Sequence, residues 1–361
     1  MRSIPRRVSL IAQTTEILRE ELRSGKWRDH LPSERFLSDQ LKISRPTLRL
    51  ALAAMRREGL IKVVPGKGSR VNPAMVKQTK KADSSVVVAL STKPLHELPA
   101  SEIYELGEMR RHLQETGYQL EFHSDARLKW AQPQRFLENL VRQTKACCWL
   151  LETQKDVVQK WFAKRGLPTI ILGSTFPQTP LPSIDLDFHA VSRHAVGMLF
   201  GLGHRRIALF IPHTGLAGDL ASEAGFREAF RVGKHPDAVP SIVHHNQSAE
   251  QIRNTLSSLM RSSHAPTAIL VSHAEDALSV VMHLMNSGMR VPKQVSVISR
   301  VDAPFLNCSI PSMARYAVDW ADFTRRASRM IVQRIETGSL TVRAVRLMSR
   351  FKEGKTLGPP P

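Results

Sequence analysis

The chain has 361 residues, 42% hydrophobic and 23% charged, and its 52 Lys and Arg against 32 Asp and Glu give a net charge of +20. That length and apolar content predict two or three globular domains and exclude a low-complexity chain, while the basic excess favours a polyanion, either nucleic acid or an acidic membrane face. No apolar run approaches the ~20 residues that span a bilayer, the segment after Arg2, Arg6 and Arg7 is amphipathic and acidic unlike a secretory leader, and three cysteines are too few for a disulfide framework. A cytoplasmic protein with free thiols and no membrane partner is therefore expected.

The charge is unevenly spread. Residues 1–82 hold 19 Lys and Arg and 7 Asp and Glu, so +12 of the excess sits in less than a quarter of the chain, as a dedicated basic module would require. Residues 8–24 read as an amphipathic helix with Ile11, Leu18 and Leu22 on one stripe and Gly25 as its stop. Ser33 is placed to cap a second helix over 34–41, whose first turn carries Glu34. After the turn at Lys42-Ile43, Ser44 caps a third helix with Pro46 in its first turn, and Leu48, Leu52 and Met55 form its buried stripe before Gly59 ends it. Arg45 and Arg49 stand one turn apart near its start with Thr47 between them, at the end a recognition helix pushes into the major groove. Residues 61–64 and 69–71 make a hairpin with Pro65-Gly66-Lys67-Gly68 at its tip, where backbone and Lys67 can approach DNA. That tip joins two strands and lacks the spacing of a phosphate loop.

The run from Leu31-Pro32-Ser33-Glu34-Arg35 through Ser44-Arg45-Pro46-Thr47-Leu48-Arg49, continued by Glu58-Gly59-Leu60-Ile61 and Gly66-Lys67-Gly68-Ser69-Arg70-Val71, resembles the winged helix of GntR-family regulators over about residues 10–72. The resemblance implies that Arg35, Ser44, Arg45, Thr47 and Arg49 touch DNA and that Gly66 enters the minor groove. Pro46 departs from the family, which usually has a small polar residue there, so one contact is lost.

Residues 73–84, with Pro73 and a polar, basic composition, read as a linker. Beyond Ser85, apolar runs alternate with helical patterns. Strands are expected at 85–90, 118–122, 146–151 and 169–172, with helices over 102–115, 133–143 and 156–164. A second set has strands at 206–211, 241–244, 268–271 and 295–299, with helices over 188–202, 223–231, 249–261 and 276–287. Such alternation predicts an α/β class of doubly wound parallel sheets. Two sets predict two lobes whose strand ends face a cleft, the first over about 85–182 and 300–320, the second over about 183–299 and 321–361.

The wording Gly201-Leu202-Gly203-His204-Arg205-Arg206, Ala224-Gly225-Phe226 and Gly288-Met289-Arg290-Val291-Pro292 resembles LacI/GalR-type sensors, a periplasmic-binding-protein-like fold, over about 85–355. Joined to a GntR-type reader, it makes an arabinose-repressor-like arrangement. Gly201-Leu202-Gly203 follows a helix and precedes a strand, the wrong order for a dinucleotide fingerprint. The family's sugar-gripping positions are altered. Ser222 stands where an Arg is usual, His273-Ala274 where an Asn-Asp pair is usual, and Val301 where an Asp is usual. Tyr104, Ser174, Ser222, His273 and Arg300 remain as candidate effector residues.

The 14 histidines lack compact metal spacing, and no nucleophile elbow or catalytic carboxylate pair is legible, so neither metal, cofactor nor enzymatic activity is expected. The resemblance implies a homodimeric transcription regulator, a repressor by family default, that binds a palindromic double-stranded operator under control of a small-molecule, sugar-like effector. The rival readings are a DNA-binding or architectural protein whose sensor serves only for dimerisation, and, more remotely, a sugar-processing enzyme carrying a DNA-binding tag.

Overall fold

The computed structural model describes residues 10–23, 26–27, 29–64, 68–72, 85–152, 154–233, 235–246, 248–340 and 343–361. The chain divides into two compact units between Ser84 and Ser85. The expected linker, 73–84, lies outside the described residues.

The first unit packs α1 (Leu10–Arg23), α2 (Glu34–Leu41) and α3 (Arg45–Arg57) beside the hairpin β1 (Ile61–Val64) and β2 (Gly68–Val71). Leu18 and Leu22 of α1, Leu37 of α2, and Leu48, Leu52 and Met55 of α3 are buried together, because each recurs at helical spacing on the inward face. Both expected caps form: the backbone N–H of Phe36 donates to Ser33 Oγ at 3.2 Å and that of Thr47 to Ser44 Oγ at 3.3 Å. Lys42 adopts the left-handed conformation (φ 52°) in the turn between α2 and α3, and the Ser38 hydroxyl donates to the Ile43 carbonyl at 2.5 Å. Gly59 ends α3 at φ 74°, a conformation that costs glycine nothing. Segment 29–31 joins the hairpin from outside, with Leu31 N–H donating to the Ser69 carbonyl and Val71 N–H to the Asp29 carbonyl.

The second unit contains two six-stranded sheets. The first runs β4 (Gln119–Ser124), β3 (Val86–Ser91), β5 (Cys148–Glu152), β6 (Thr169–Leu172), β7 (Ser183–Leu186) and β13 (Ala344–Leu347), with every pair parallel. The second runs β9 (Val239–His245), β8 (Arg206–Pro212), β10 (Ala268–Val271), β11 (Ser296–Ser299), β12 (Ala314–Ala317) and an antiparallel edge, β14 (Arg350–Lys352). Their central strands are continuous apolar runs because helices cover both faces. These helices are α4 (Ala100–Glu115), α5 (Gln134–Gln143), α6 (Asp156–Arg165), α7 (Phe188–Gly201), α8 (Ala217–Val232), α9 (Ala249–Met260), α10 (Ala274–Asn286) and α11 (Trp320–Thr337). Gly225 lets α8 lie against α7: a Cβ there would stand 2.1 Å from the His189 carbonyl oxygen.

The lobes do not divide where the sequence placed them. Residues 314–317, expected in the first lobe, pair with β11 in the second sheet, while β7 and β13, expected in the second lobe, complete the first. The chain therefore crosses between lobes three times, after β7, after β12 and after β13. The reason is that α11 packs back on α4 and carries the chain to the first sheet before β14 returns it. No described helix is long and apolar enough to cross a membrane.

Candidate DNA-reading surface and ligand cleft

On the first unit, the α3 start is held by two local devices. Ser44 Oγ lies 2.8 Å from Thr47 Oγ1 while accepting the Thr47 N–H, and Pro46 occupies a first-turn position that has no use for a donor. Arg35, Ser44, Arg45 and Arg49 are exposed and Thr47 is half-buried. Arg49 donates from Nε to Glu34 Oε2 at 2.8 Å, which orients its guanidinium from the neighbouring helix while leaving the side chain 67% exposed. Arg19 forks onto Glu58 and ties α1 to the end of α3. Gly66 and Lys67, the expected wing tip, lie outside the described residues.

The second unit holds a cavity of ≈ 210 Å³ at the carboxyl ends of its strands, lined from both lobes. Three of the five expected effector residues, Ser174, His273 and Arg300, line it, and a fourth, Ser222, stands behind Arg300. Ser174 lines it and donates to Asp185 Oδ2 at 2.5 Å. Arg300 lines it from the end of β11, fully enclosed. Its guanidinium donates to Asp219 Oδ1 at 3.3 Å, to the Ser272 carbonyl at 3.1 Å and to Ser222 Oγ, and lies 4.1 Å over the Phe188 ring. His273 stands 3.9 Å from Asp219 and 4.0 Å from Asp276, with burial first and Arg300 second holding its pKa down, so its ring is neutral at pH 7. Ser222 is reached through Arg300 rather than by lining the cavity itself.

Tyr104 is the correction. It is 48% exposed and not part of the lining, to which α4 contributes Ser101, Glu102 and Glu105 instead. Ser222 stands where the resemblance leads one to expect an Arg, and the structure fills that neighbourhood with the Arg300 guanidinium from another element.

Carboxyls the sequence reading did not single out dominate the opposite wall. Burial pushes Glu102 up to about 7 and Glu152 to about 8, with Glu102 adding to the latter. Burial raises Glu105 well above the usual range, reinforced by Glu102, Glu152 and Asp185, and lifts Asp185 to about 6 against the Ser174 hydrogen bond. One signal existed: Glu152 directly follows the apolar run of β5, at the strand end where ligand-facing residues stand. His244 and His245 do point apart, His244 pairing with Glu223 at 2.8 Å and His245 stacking on Phe210. No cluster of metal-ligating side chains occurs among the described residues.

Residues 10–71 match the bacterial regulatory proteins of the gntR family and residues 196–357 the periplasmic binding protein-like domain. The chain is 22% identical over 323 residues to the arabinose metabolism transcriptional repressor of Geobacillus stearothermophilus, covering 86% of each. Its fold matches a LacI family transcriptional regulator from Bifidobacterium animalis subsp. lactis (TM-score 0.67, 18% identity, 77% of this chain and 100% of that one). It also matches a LacI family regulator from Enterococcus faecium solved with bound ribose (TM-score 0.63, 17% identity, 76% and 99%). A gntR-family DNA-binding module at the N-terminus followed by a periplasmic binding protein-like domain supports a ligand-controlled, DNA-binding transcription regulator.

Proposed function

We propose that the chain is an effector-controlled repressor, acting in the cytoplasm as a homodimer on a palindromic operator. In this reading α3 enters the major groove, with Arg45 and Arg49 on base edges or phosphates, Arg35, Ser44 and Thr47 on the backbone, and the wing residues Gly66 and Lys67 at the minor groove. The observation that carries it is the capped start of α3 with its two exposed arginines one turn apart, in a unit that concentrates the chain's basic charge. Each reader covers one half-site, so two copies match a two-fold operator. The name of the Geobacillus relative supports repression as the output.

The two-walled cavity supports a small-molecule effector, in keeping with the ribose held by the Enterococcus regulator. The effector changes operator affinity by a coupling of typically 1–3 kcal/mol, about 5–150-fold. The altered positions Ser222, His273, Ala274 and Val301 favour one rival, a sensor that only dimerises. An operator selected from random duplexes, followed by operator affinity with and without sugars and sugar derivatives, separates the two. A compound that shifts affinity supports the effector reading, and silence across the panel supports the dimerisation reading.

A further inference from the structure

The first-lobe wall of the cavity is built from acceptors. Glu152, 9% exposed, leaves Oε2 without a hydrogen-bond partner. Gln154, 1% exposed, lines the cavity and donates its amide to the carbonyls of Leu90 (3.0 Å) and Glu152 (2.7 Å), which leaves Oε1 buried without a partner. Glu105 and Asp185 complete the wall, and neither they nor Glu152 is ion-paired among the described residues.

Helix ends account for only part of this acidity. Glu102 is in the first turn of α4, Asp219 in that of α8, and Glu275 and Asp276 in that of α10, where the macrodipole favours a carboxylate. Glu105 lies beyond that turn, and Glu152 and Asp185 are on strands. Nearby cations do not neutralise them. Arg300 is already bound to Asp219, Ser222 and the Ser272 carbonyl. Lys93 acts on Glu102, which also faces Glu275, while Arg346 and Arg300 act on Asp185 only through space. Burial keeps His245 near 4 and His273 below its usual range, so both rings are uncharged at neutral pH.

Buried carboxyls without a counter-charge are costly to ionise, and a neutral polyol or a sugar acid would leave that cost in place. An ammonium group carries only donors and one positive charge, matching both the unpaired acceptors and the missing charge. We propose that the effector is a small hydroxylated amine, bound as its cation with the ammonium between Glu105, Glu152 and Gln154 Oε1. The inference rests on reading this cavity as the effector site and adds its chemical class. The cation pulls the carboxyl protons off, so binding releases protons and affinity rises across the range from about pH 6 to about 8 in which Asp185, Glu102 and Glu152 titrate.

The test is isothermal titration of the full chain with D-glucosamine, 4-amino-1-butanol and ethanolamine, each beside its uncharged counterpart (D-glucose, 1,4-butanediol, ethylene glycol), with D-glucuronate as the anion. The expected result is an amine that binds at least about tenfold tighter than its counterpart, tightens as pH rises, and releases protons into the buffer. Glu105→Gln and Glu152→Gln, checked for folding by circular dichroism, should each weaken it about tenfold. Should neither variant fold, the matched-pair ratio and the proton release of the unaltered chain decide. Failure of all three amines to bind, or equal or tighter binding of an uncharged or anionic member, overturns the inference. If D-glucose or D-glucuronate binds and shifts operator affinity, the effector site stands and the charge assignment falls. Silence of every probe in both heat and operator affinity removes the effector reading with it.

Discussion

The winged-helix unit leaves Arg35, Arg45 and Arg49 exposed, whereas the α/β unit draws Glu102, Glu105, Glu152 and Asp185 into a cavity where burial raises their pKa values. Exposed cations cost little to keep hydrated and suit a long polyanion approached from solvent. Enclosed carboxyls are expensive to charge and suit a ligand small enough to enter and bring its own charge. The surface is charged at all times, whereas burial keeps carboxyls of the pocket such as Glu105 and Glu152 protonated until something binds.

The contrast breaks first at Arg300. Arg300→Ala would leave Asp219 enclosed without its cation, and removing one partner of a buried pair costs about 3–5 kcal/mol. Urea unfolding of the full chain measures it, and a loss below about 1 kcal/mol would mean the second-lobe wall is not held by this pair. On the reading surface, Arg45→Ala and Arg49→Ala each should weaken operator binding by roughly 1–3 kcal/mol while leaving the melting temperature in place, as fluorescence anisotropy and thermal melting would report.

The carboxyl wall gives a pH signature. Glu152 is held up near 8 by burial and then by Glu102, so the fold prefers its protonated form. Its contribution is therefore present at low pH and is lost as pH rises from the ordinary carboxyl range towards about 8. Glu152→Gln should remove that loss, gaining at least about 1 kcal/mol over the unaltered chain at pH 8.5 relative to pH 5. Parallel denaturation curves for the two proteins would disprove it. The smallest effect concerns a local device: Ser33→Ala removes the α2 cap and should cost ~1 kcal/mol in the melting of the N-terminal unit.

What was legible in the sequence follows from the range of the interactions involved. Ser33 and Ser44 cap helices three residues away, the α3 stripe repeats every three or four residues, and β6 and β10 are short apolar runs, so each could be read locally. β7 and β13 carry Asp185 and Arg346 within four residues and do not read as buried strands, yet β7 pairs with β6 and β13 with β7. The division of the lobes went astray for that reason, since the crossings are set by strand pairing and by α11 docking on α4 rather than by any local signal. The cavity was harder still. Glu105, Glu152, Asp185 and Arg300 come from four elements spread over nearly 200 residues, and a resemblance that looked for an Arg at position 222 could not show that Arg300 fills its neighbourhood.

The central claim is that the basic unit reads sequence rather than merely holding charge. The measurement that tests it most directly is a salt titration of full-chain affinity, by fluorescence anisotropy, on the selected operator and on a random duplex of equal length. The account predicts an operator preference of at least about 10³-fold at physiological salt that persists as salt rises and collapses in Arg45→Ala, Arg49→Ala double substitution. Equal affinity for the two duplexes at every salt concentration would contradict it.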